Sequence, residues 1–272
     1  MRRCKKMKQK KTKFSGDLLT FLLVAAVYAV VAYLLYGGSL TRQFSNMLIP
    51  ISVYIVLAVS LNLVVGLLGE LSLGHAGFMS VGLFSGCLLS IALVDILPTP
   101  VRLPLSMLAG GLVAALFGLA VGLPALRLKG DYLAIVTLGF GEIVRIVARN
   151  LEITGSASGI SGIPRPYLFG VQLTKIWMWF FVFIILVIIF VIASNRLKNS
   201  RFGRALEYIR EDEDAAEAMG VDVARYKLWA FIMGTVFGAL AGAFYAMQMA
   251  AISPNSFQFL QSANILLAVV LG

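Results

Sequence analysis

Charged residues and cysteine are scarce in this sequence, and each shortage excludes a class of protein. Only 13% of the 272 residues are charged and 60% are apolar, whereas an ordinary soluble domain has about 25% charged and ~45–50% apolar residues. So little charge excludes a disordered chain, and two cysteines exclude a disulfide scaffold. A soluble chain of this length could not bury so much apolar surface. We therefore predict an all-α integral membrane protein, built as a polytopic helical bundle.

Groups that carry chemistry are also few. The one histidine, His75, excludes a site with several histidine ligands, and neither Cys4 nor Cys87 has a partner at metal-ligand spacing. The sequence has no GxxxxGK[ST] loop and no Gly-Lys dipeptide, so this chain binds no nucleotide through a P-loop. It shows no acid pair, nucleophile–base set or metal cluster. We therefore expect no catalytic residue, no metal and no cofactor.

Positive charge is concentrated at the N-terminus. Eight of the 23 lysines and arginines lie in the first thirteen residues, MRRCKKMKQKKTK, and the net charge is +10. A basic cluster beside an apolar span holds that end in the cytoplasm and contacts anionic lipid. The cluster has no interleaved aromatic residues for stacking bases, which disfavours nucleic acid as a partner. We predict a basic cytoplasmic tail at 1–17 and a transmembrane domain at 18–272.

Seven segments are long and apolar enough to span a bilayer, which needs about 20 residues. With the N-terminus in the cytoplasm, the cytoplasmic pieces carry seventeen of the 23 basic residues, in agreement with the positive-inside rule. An eighth segment begins near residue 262 and reaches Gly272. The prediction is therefore seven to eight spans, of which the first seven are 18–36, 46–66, 71–94, 104–126, 132–149, 176–194 and 227–250.

Glycines recur at four-residue spacing within these segments. Gly82 and Gly86 form one such pair, and Gly234, Gly238 and Gly242 form a triple. In a helix such glycines share one face and allow a close approach of backbones. The favoured interpretation is helix packing within this chain, and the alternative is contact with a second membrane subunit.

Four titratable residues in or beside the spans are candidates for a translocation path. Glu142 and Arg145 are three apart on one face of the fifth span, where charges either pair or face a wet cavity. Glu70 and His75 bracket GELSLGHAGF, which is too rich in glycine and serine for an uninterrupted helix. The alternatives are a structural ion pair near the interface and a packed, hydrogen-bonded histidine.

The cytoplasmic loop at 195–227 is the longest predicted on that side. Ser200 can cap a short amphipathic helix, Arg210 and Asp214 are spaced as an i,i+4 pair, and Gly220 can end the helix. Asp222 can cap the helix of the next span. A short helix joined rigidly to the spans could receive the motion of a soluble motor. The alternative is a solvated loop.

At this loop the sequence comes to resemble a known family. It is similar to the LivM type of permease subunit in branched-chain amino acid ABC importers. DAAEAMG at 214–220 resembles the coupling signature of importer permeases, EAA with a glycine four residues after the last alanine. The other matching stretches are LNLVVGLLGELSLGHAGF (61–78), LRLKGDYLAIVTLGFGEIVRI (126–146), RFGRALEYIREDEDAAEAMGV (201–221) and ISPNSFQFLQSANILLAVVLG (252–272).

The resemblance implies a function and a set of partners. It implies an inner-membrane subunit of bacterial type, with no enzyme activity, that imports leucine, isoleucine or valine by alternating access. Its partners would be a second homologous permease, two ABC ATPases and an extracytoplasmic binding protein. The implied ATPase-coupling residues are Arg201, Gly203, Arg204, Arg210, Glu211, Asp214, Ala215, Ala216 and Gly220.

Two departures from the family pattern and three alternatives remain. The family commonly has TGG in the outer loop, where this chain has Ser156 and Ala157 after Gly155. Members of the family also continue beyond the position of Gly272, and this difference predicts a shortened permease. Related permeases carry urea, short amides or other amino acids. An ion-coupled secondary transporter would use Glu142, Arg145 or His75, and a membrane enzyme would gather such groups around one cavity.

Overall fold

The computed structural model describes residues 26, 28–34, 37, 41–126, 128, 131–163, 167–168, 171–172, 176–249 and 251–271. The predicted basic tail lies outside these residues, and so does most of the predicted first span, of which residues 28–34 are helical. The α-helices that follow are α1 (Arg42–Asn62), α2 (His75–Ala92), α3 (Thr99–Ala125), α4 (Asp131–Asn150), α5 (Ile176–Lys198), α6 (Arg201–Glu211), α7 (Glu213–Ala218), α8 (Val223–Gln248) and α9 (Phe259–Val270).

The strands of the described residues are short and lie in loops. In the described residues, β1 (Ile160–Ser161) pairs antiparallel with β4 (Ala251–Ile252), which joins the loop after α4 to the loop after α8. A second ribbon pairs β2 (Tyr167–Leu168) with β3 (Val171–Gln172). Because each strand has only two residues and most described residues lie in helices, the helical class predicted from composition is confirmed.

Within the described residues, five helical segments are long and apolar enough to cross a membrane. They are Gln43–Leu68, His75–Ala92, Pro100–Ala125, Met178–Lys198 and Val223–Gln248. Each coincides with a predicted span. The helix α4 also matches a predicted span and is about 30 Å long at 1.5 Å per residue. It is not one of the five because it carries Glu142, Arg145 and Arg149.

The segment between α1 and α2 is only partly helical. The helix α1 continues as a π-helix, Leu63–Leu68, which ends at Gly69 in the left-handed region (φ +81°). Residues 69–74 form no regular structure, and α2 begins only at His75. The predicted span at 71–94 therefore starts four residues later, because its glycine- and serine-rich opening is unwound, as its composition indicated.

The helix α8 lies at the centre of the bundle. It packs against α1, α2 and α3, and α2 also packs against α3 and α4. Glycines permit this approach: a methyl group on Gly82 would collide with the Ala239 carbonyl oxygen, and one on Gly242 would collide with that of Met79. The favoured interpretation of the glycine spacing, packing within the chain, is confirmed at these positions.

Candidate functional site

The coupling segment, residues 201–221, folds as two helices rather than the single helix predicted. Asp212 has an extended backbone (φ −155°, ψ 105°) that stops α6, and its carboxylate accepts a hydrogen bond from the Ala215 amide at 3.0 Å. Ser200 caps α6 by accepting from the Gly203 amide at 3.2 Å, as predicted. An aspartate prefers to cap a helix rather than lie inside one, so Asp212 divides the segment.

The end of the coupling segment follows the prediction. Gly220 has a φ of +83°, and the Val221 amide donates to the Ala216 carbonyl at 3.1 Å, which closes α7 with a left-handed turn. Asp222 then caps α8 by accepting from the Arg225 amide at 3.2 Å. The chain therefore passes from α7 into a central helix of the bundle through a turn of only four residues.

The apolar face of α6 is anchored in the bundle. Leu206 and Ile209 are buried, and Gly203 is so close to the end of α5 that a methyl group there would collide with the Lys198 carbonyl oxygen. Any movement of α6 relative to the bundle would break these contacts, so α6 behaves as part of the bundle. Leu206 and Ile209 belong to a buried cluster that also includes Leu63, Val64, Leu67, Leu68, Phe78 and Phe231.

Arg210 fixes α6 to the π-helix and to residues 69–74, which we call the unwound segment. The predicted pair of Arg210 with Asp214 does not form. The Arg210 guanidinium Nη1 donates to the Gly66 carbonyl at 2.5 Å, and its side chain packs against Gly69. The break at Asp212 removes the continuous helix that an i,i+4 pair requires. Arg210 is thus a second anchor of the coupling segment.

The remaining surface of the coupling segment faces outward. Met219 and Tyr208 have exposed fractions of 68% and 54%, and carboxylates flank them. Gly203 and Ala216 are buried, so they support the segment from beneath. The exposed predicted coupling residues are Arg201, Arg204, Arg210, Glu211, Asp214, Ala215 and Gly220.

A buried lysine joins the coupling segment to the membrane helices. The Lys227 ammonium donates to Glu70 Oε1 at 2.8 Å and to Glu213 Oε2 at 3.0 Å. The Lys227 side chain is 5% exposed, that of Glu70 13% and that of Glu213 33%. We call these three residues the lysine junction. It connects α7, the unwound segment and the second turn of α8.

Sequence reasoning missed two members of the lysine junction. Lys227 counted only as one more basic residue of the loop, and Glu213 only as part of an acidic run. The one available signal was the placement of two opposite charges at the ends of spans. Lys227 lies at the start of one predicted span, and the carboxylate of Glu70 follows the end of another. Which charges pair across 157 positions of sequence is decided by the fold.

His75 forms a separate contact deep in the bundle. Its Nε2 lies 2.5 Å from the Ser60 hydroxyl, which also lies 2.8 Å from the Gly234 carbonyl. A hydroxyl has a single proton to donate. If Ser60 donates to Gly234, the proton on Nε2 of His75 completes the chain of hydrogen bonds. The buried Nδ1 then has no partner among the described residues. The contact joins α1, α2 and α8, as the packed-histidine alternative describes.

Glu142 and Arg145 form the predicted ion pair on α4. The Arg145 Nε lies 3.0 Å from each Glu142 carboxylate oxygen, and Nη2 bonds to Oε1 as well. The pair lines a cavity of about 390 Å³. Its other walls come from the start of α2, the loop before α9 and the first turn of α9. The apolar lining includes Leu73, Ala76, Leu138, Phe257 and Phe259.

The structure does not gather the four candidate path residues into one cluster. Glu70 bonds to Lys227, His75 to Ser60, and Glu142 to Arg145. Within the described residues, no group of three histidine, cysteine or carboxylate side chains could hold a metal ion. The arrangement that the membrane-enzyme hypothesis needs is therefore absent from this part of the chain. Glu142 and Arg145 line a cavity large enough for a small molecule.

A bundle of apolar, membrane-length helices with a docked helix pair at one end defines a polytopic membrane protein. The family described as branched-chain amino acid transport system / permease component matches residues 43–272. This chain belongs to that family.

Curated relatives agree with this assignment. The high-affinity branched-chain amino acid transport system permease protein LivM of Salmonella typhimurium is 39% identical over 93% of this chain and 63% of its own length. The Escherichia coli protein of the same name is 40% identical over 81% of this chain and 56% of its own. The probable branched-chain amino acid transport permease protein LivM of Methanocaldococcus jannaschii is 32% identical over 54% of this chain and 44% of its own. The chain thus spans about 60% of the first two relatives. No solved structure matches it significantly.

Proposed function

We propose that this chain is a permease subunit of an ATP-driven importer of branched-chain amino acids in a bacterial-type inner membrane. It carries no reaction of its own. A second homologous permease completes the pathway, two ATPase subunits hydrolyse ATP, and an extracytoplasmic protein delivers leucine, isoleucine or valine. The names of the LivM relatives support the substrate and the transport role.

The observation that carries the proposal is the attachment of the coupling segment to the bundle. The helix α6 buries Leu206 and Ile209, and Arg210 bonds to the Gly66 carbonyl. The helix α7 is held through Glu213 in the lysine junction. A force applied to the exposed face of α6 and α7 is therefore transmitted to the inner ends of α1, α2 and α8 instead of bending a loop. Alternating access needs such a connection, because packed helices move as rigid bodies.

The exposed face of the coupling segment has the chemistry of a docking surface. Met219 and Tyr208 supply exposed apolar area, and Glu211, Asp214 and Glu217 supply exposed carboxylates in the same segment. An ATPase groove that accepts this face would carry basic residues at its rim, since complementary charges set register and orientation.

The test is to add a large charged side chain at Gly220. Gly220 has a φ of +83°, and a methyl group on its Cα would have no neighbouring atom within 4 Å, so Gly220→Arg introduces a bulky cation on the docking surface. Gly162 is a matched control, with a φ of +76° and equally open surroundings in the loop after α4. Both variants bear the same backbone strain.

We expect Gly220→Arg to abolish leucine uptake and the co-purification of ATPase subunits, with membrane insertion intact. Gly162→Arg should keep the ATPases attached. Charge reversal at Arg210 and Asp214 should also abolish uptake. Normal ATPase attachment and uptake in Gly220→Arg would refute the coupling role. Leucine uptake that depends on a proton gradient and needs no ATPase would favour the ion-coupled alternative, and uptake of urea alone would refute the substrate.

A further inference from the structure

We propose that the cavity at Glu142 and Arg145 is a binding site for a zwitterionic α-amino acid with an apolar side chain. The inference rests on the proposed function and adds to it the place where the membrane subunit holds its substrate. The two charged residues lining the cavity have opposite signs and adjacent positions. An α-amino acid presents the complementary arrangement, a carboxylate and an ammonium on one carbon.

The position of the ion pair fits a site on a translocation route. Glu142 lies eleven residues after the start of α4, which is roughly 16 Å along a helix of about 30 Å. A charge at that depth is costly unless it is paired and reaches a polar or wet space. The Glu142 side chain is 41% exposed and that of Arg145 is 16% exposed, so the pair opens to the cavity rather than being sealed in the bundle.

Both charged groups retain capacity for a ligand. Arg145 donates from Nε and Nη2 to Glu142, while among the described residues its Nη1 reaches only the Asn255 side-chain oxygen, at 3.5 Å. A guanidinium has five N–H donors, so Nη1 can bind a carboxylate. The exposed edge of the Glu142 carboxylate can accept an ammonium. The substrate would thus extend the existing ion pair to four charges of alternating sign.

The rest of the cavity selects an apolar side chain. Leu73, Leu138 and Phe257 line it, and its volume of about 390 Å³ lies within the ~300–1,000 Å³ usual for small-molecule sites. A lysine or glutamate substrate would place a charge against these walls without a partner. Urea and short amides offer Arg145 no carboxylate. The site therefore favours branched-chain amino acids over both classes.

The first experiment measures recognition of the carboxylate. Radiolabelled leucine is bound to the purified membrane complex in nanodiscs without the soluble binding protein, and competed with leucinamide and 4-methylpentanoate. We expect wild-type complex to reject both competitors. Arg145→Gln should weaken leucine binding at least tenfold and abolish discrimination against leucinamide. Arg149→Gln, an exposed arginine one turn further along α4, is the matched control and should bind as wild type.

The second experiment changes the volume of the cavity and does not depend on the charged variants folding. Gly141 lines the cavity and a methyl group there makes only contacts of 3.8 Å, so Gly141→Ala fills space without a clash. Binding of leucine should fall relative to alanine. A methyl group on Gly139 would have no described atom within 4 Å, and Gly139 lies outside the lining, so Gly139→Ala should leave the ratio unchanged.

The outcomes separate this inference from the proposed function. Retained preference for leucine over leucinamide in Arg145→Gln, or an unchanged leucine-to-alanine ratio in Gly141→Ala, overturns the site. Leucine uptake by wild-type cells would in that case still uphold the transporter. Absence of leucine uptake by the wild-type complex overturns both. Loss of carboxylate recognition in Arg145→Gln together with a lowered ratio in Gly141→Ala supports the site.

Discussion

Replacement of Lys227 by methionine should destabilise the chain far more than the same change at Arg225. Methionine keeps an unbranched stem but removes the cation, which leaves Glu70 and Glu213 facing each other with no compensating charge. Removing one partner of a buried ion pair costs about 3–5 kcal/mol. Glu213 is one-third exposed and can turn towards water, so we expect the lower end of that range.

Arg225 is the matched control because it lies two residues earlier on the same helix. Its side chain is 82% exposed and pairs with Asp222 at 2.9 Å on the surface. A surface pair of this kind contributes about 0–1 kcal/mol. The assay is unfolding by SDS titration in mixed micelles, followed by far-UV circular dichroism, on wild type, Lys227→Met and Arg225→Met.

A difference of less than ~1 kcal/mol between the two variants would refute the reasoning, because a buried and a surface pair would then be equivalent. A triple variant with Lys227→Met, Glu70→Gln and Glu213→Gln isolates the charge effect. We expect it to recover most of the lost stability, since neutral carboxamides do not repel each other. Leucine uptake should stay low in the triple variant, because it lacks the charged connection between α7 and α8.

Two further changes test contacts elsewhere in the bundle. Ser60→Ala should lower the free energy of unfolding by about 1–3 kcal/mol in the same assay, because it leaves His75 Nε2 buried and unpaired. The control is Ser80→Ala, which should cost little because the Ser80 hydroxyl donates to a carbonyl of its own helix. Equal losses in the two variants would contradict the role of Ser60. Ser156 has a φ of 54°, so Ser156→Gly should raise stability by about 0.5–1 kcal/mol, and a lower stability would show that the left-handed backbone carries no strain there.

Ser156 also illustrates how a departure from a family pattern acquires a physical meaning. The resemblance showed a serine where related permeases have the second glycine of TGG. The structure shows that this position is left-handed, which glycine adopts freely and serine does not. The sequence alone identified Ser156 as a departure from the family pattern. The left-handed backbone explains why serine is less favourable than glycine at this position.

Local signals predicted the helices and their ends well. Apolar runs placed the five membrane-length helices, and capping residues marked boundaries at Ser200, Gly220 and Asp222. These features depend on residues within a few positions of each other, so a single sequence contains the information. The one boundary missed inside the coupling segment was Asp212, which the sequence presents as one of four consecutive acidic residues and the structure uses as a cap.

Pairing of distant charges could not be predicted in the same way. The Glu142–Arg145 pair could be predicted because both residues lie on one helical turn. Arg210, in contrast, does not pair with Asp214 as predicted but donates to the Gly66 carbonyl, 144 positions away. The span positions and the helix caps thus followed from the sequence itself, because hydropathy and capping are local properties. The lysine junction and the cavity beside Arg145 depend on how α2, α4, α7, α8 and α9 pack together. Only the tertiary structure brings their side chains close to one another.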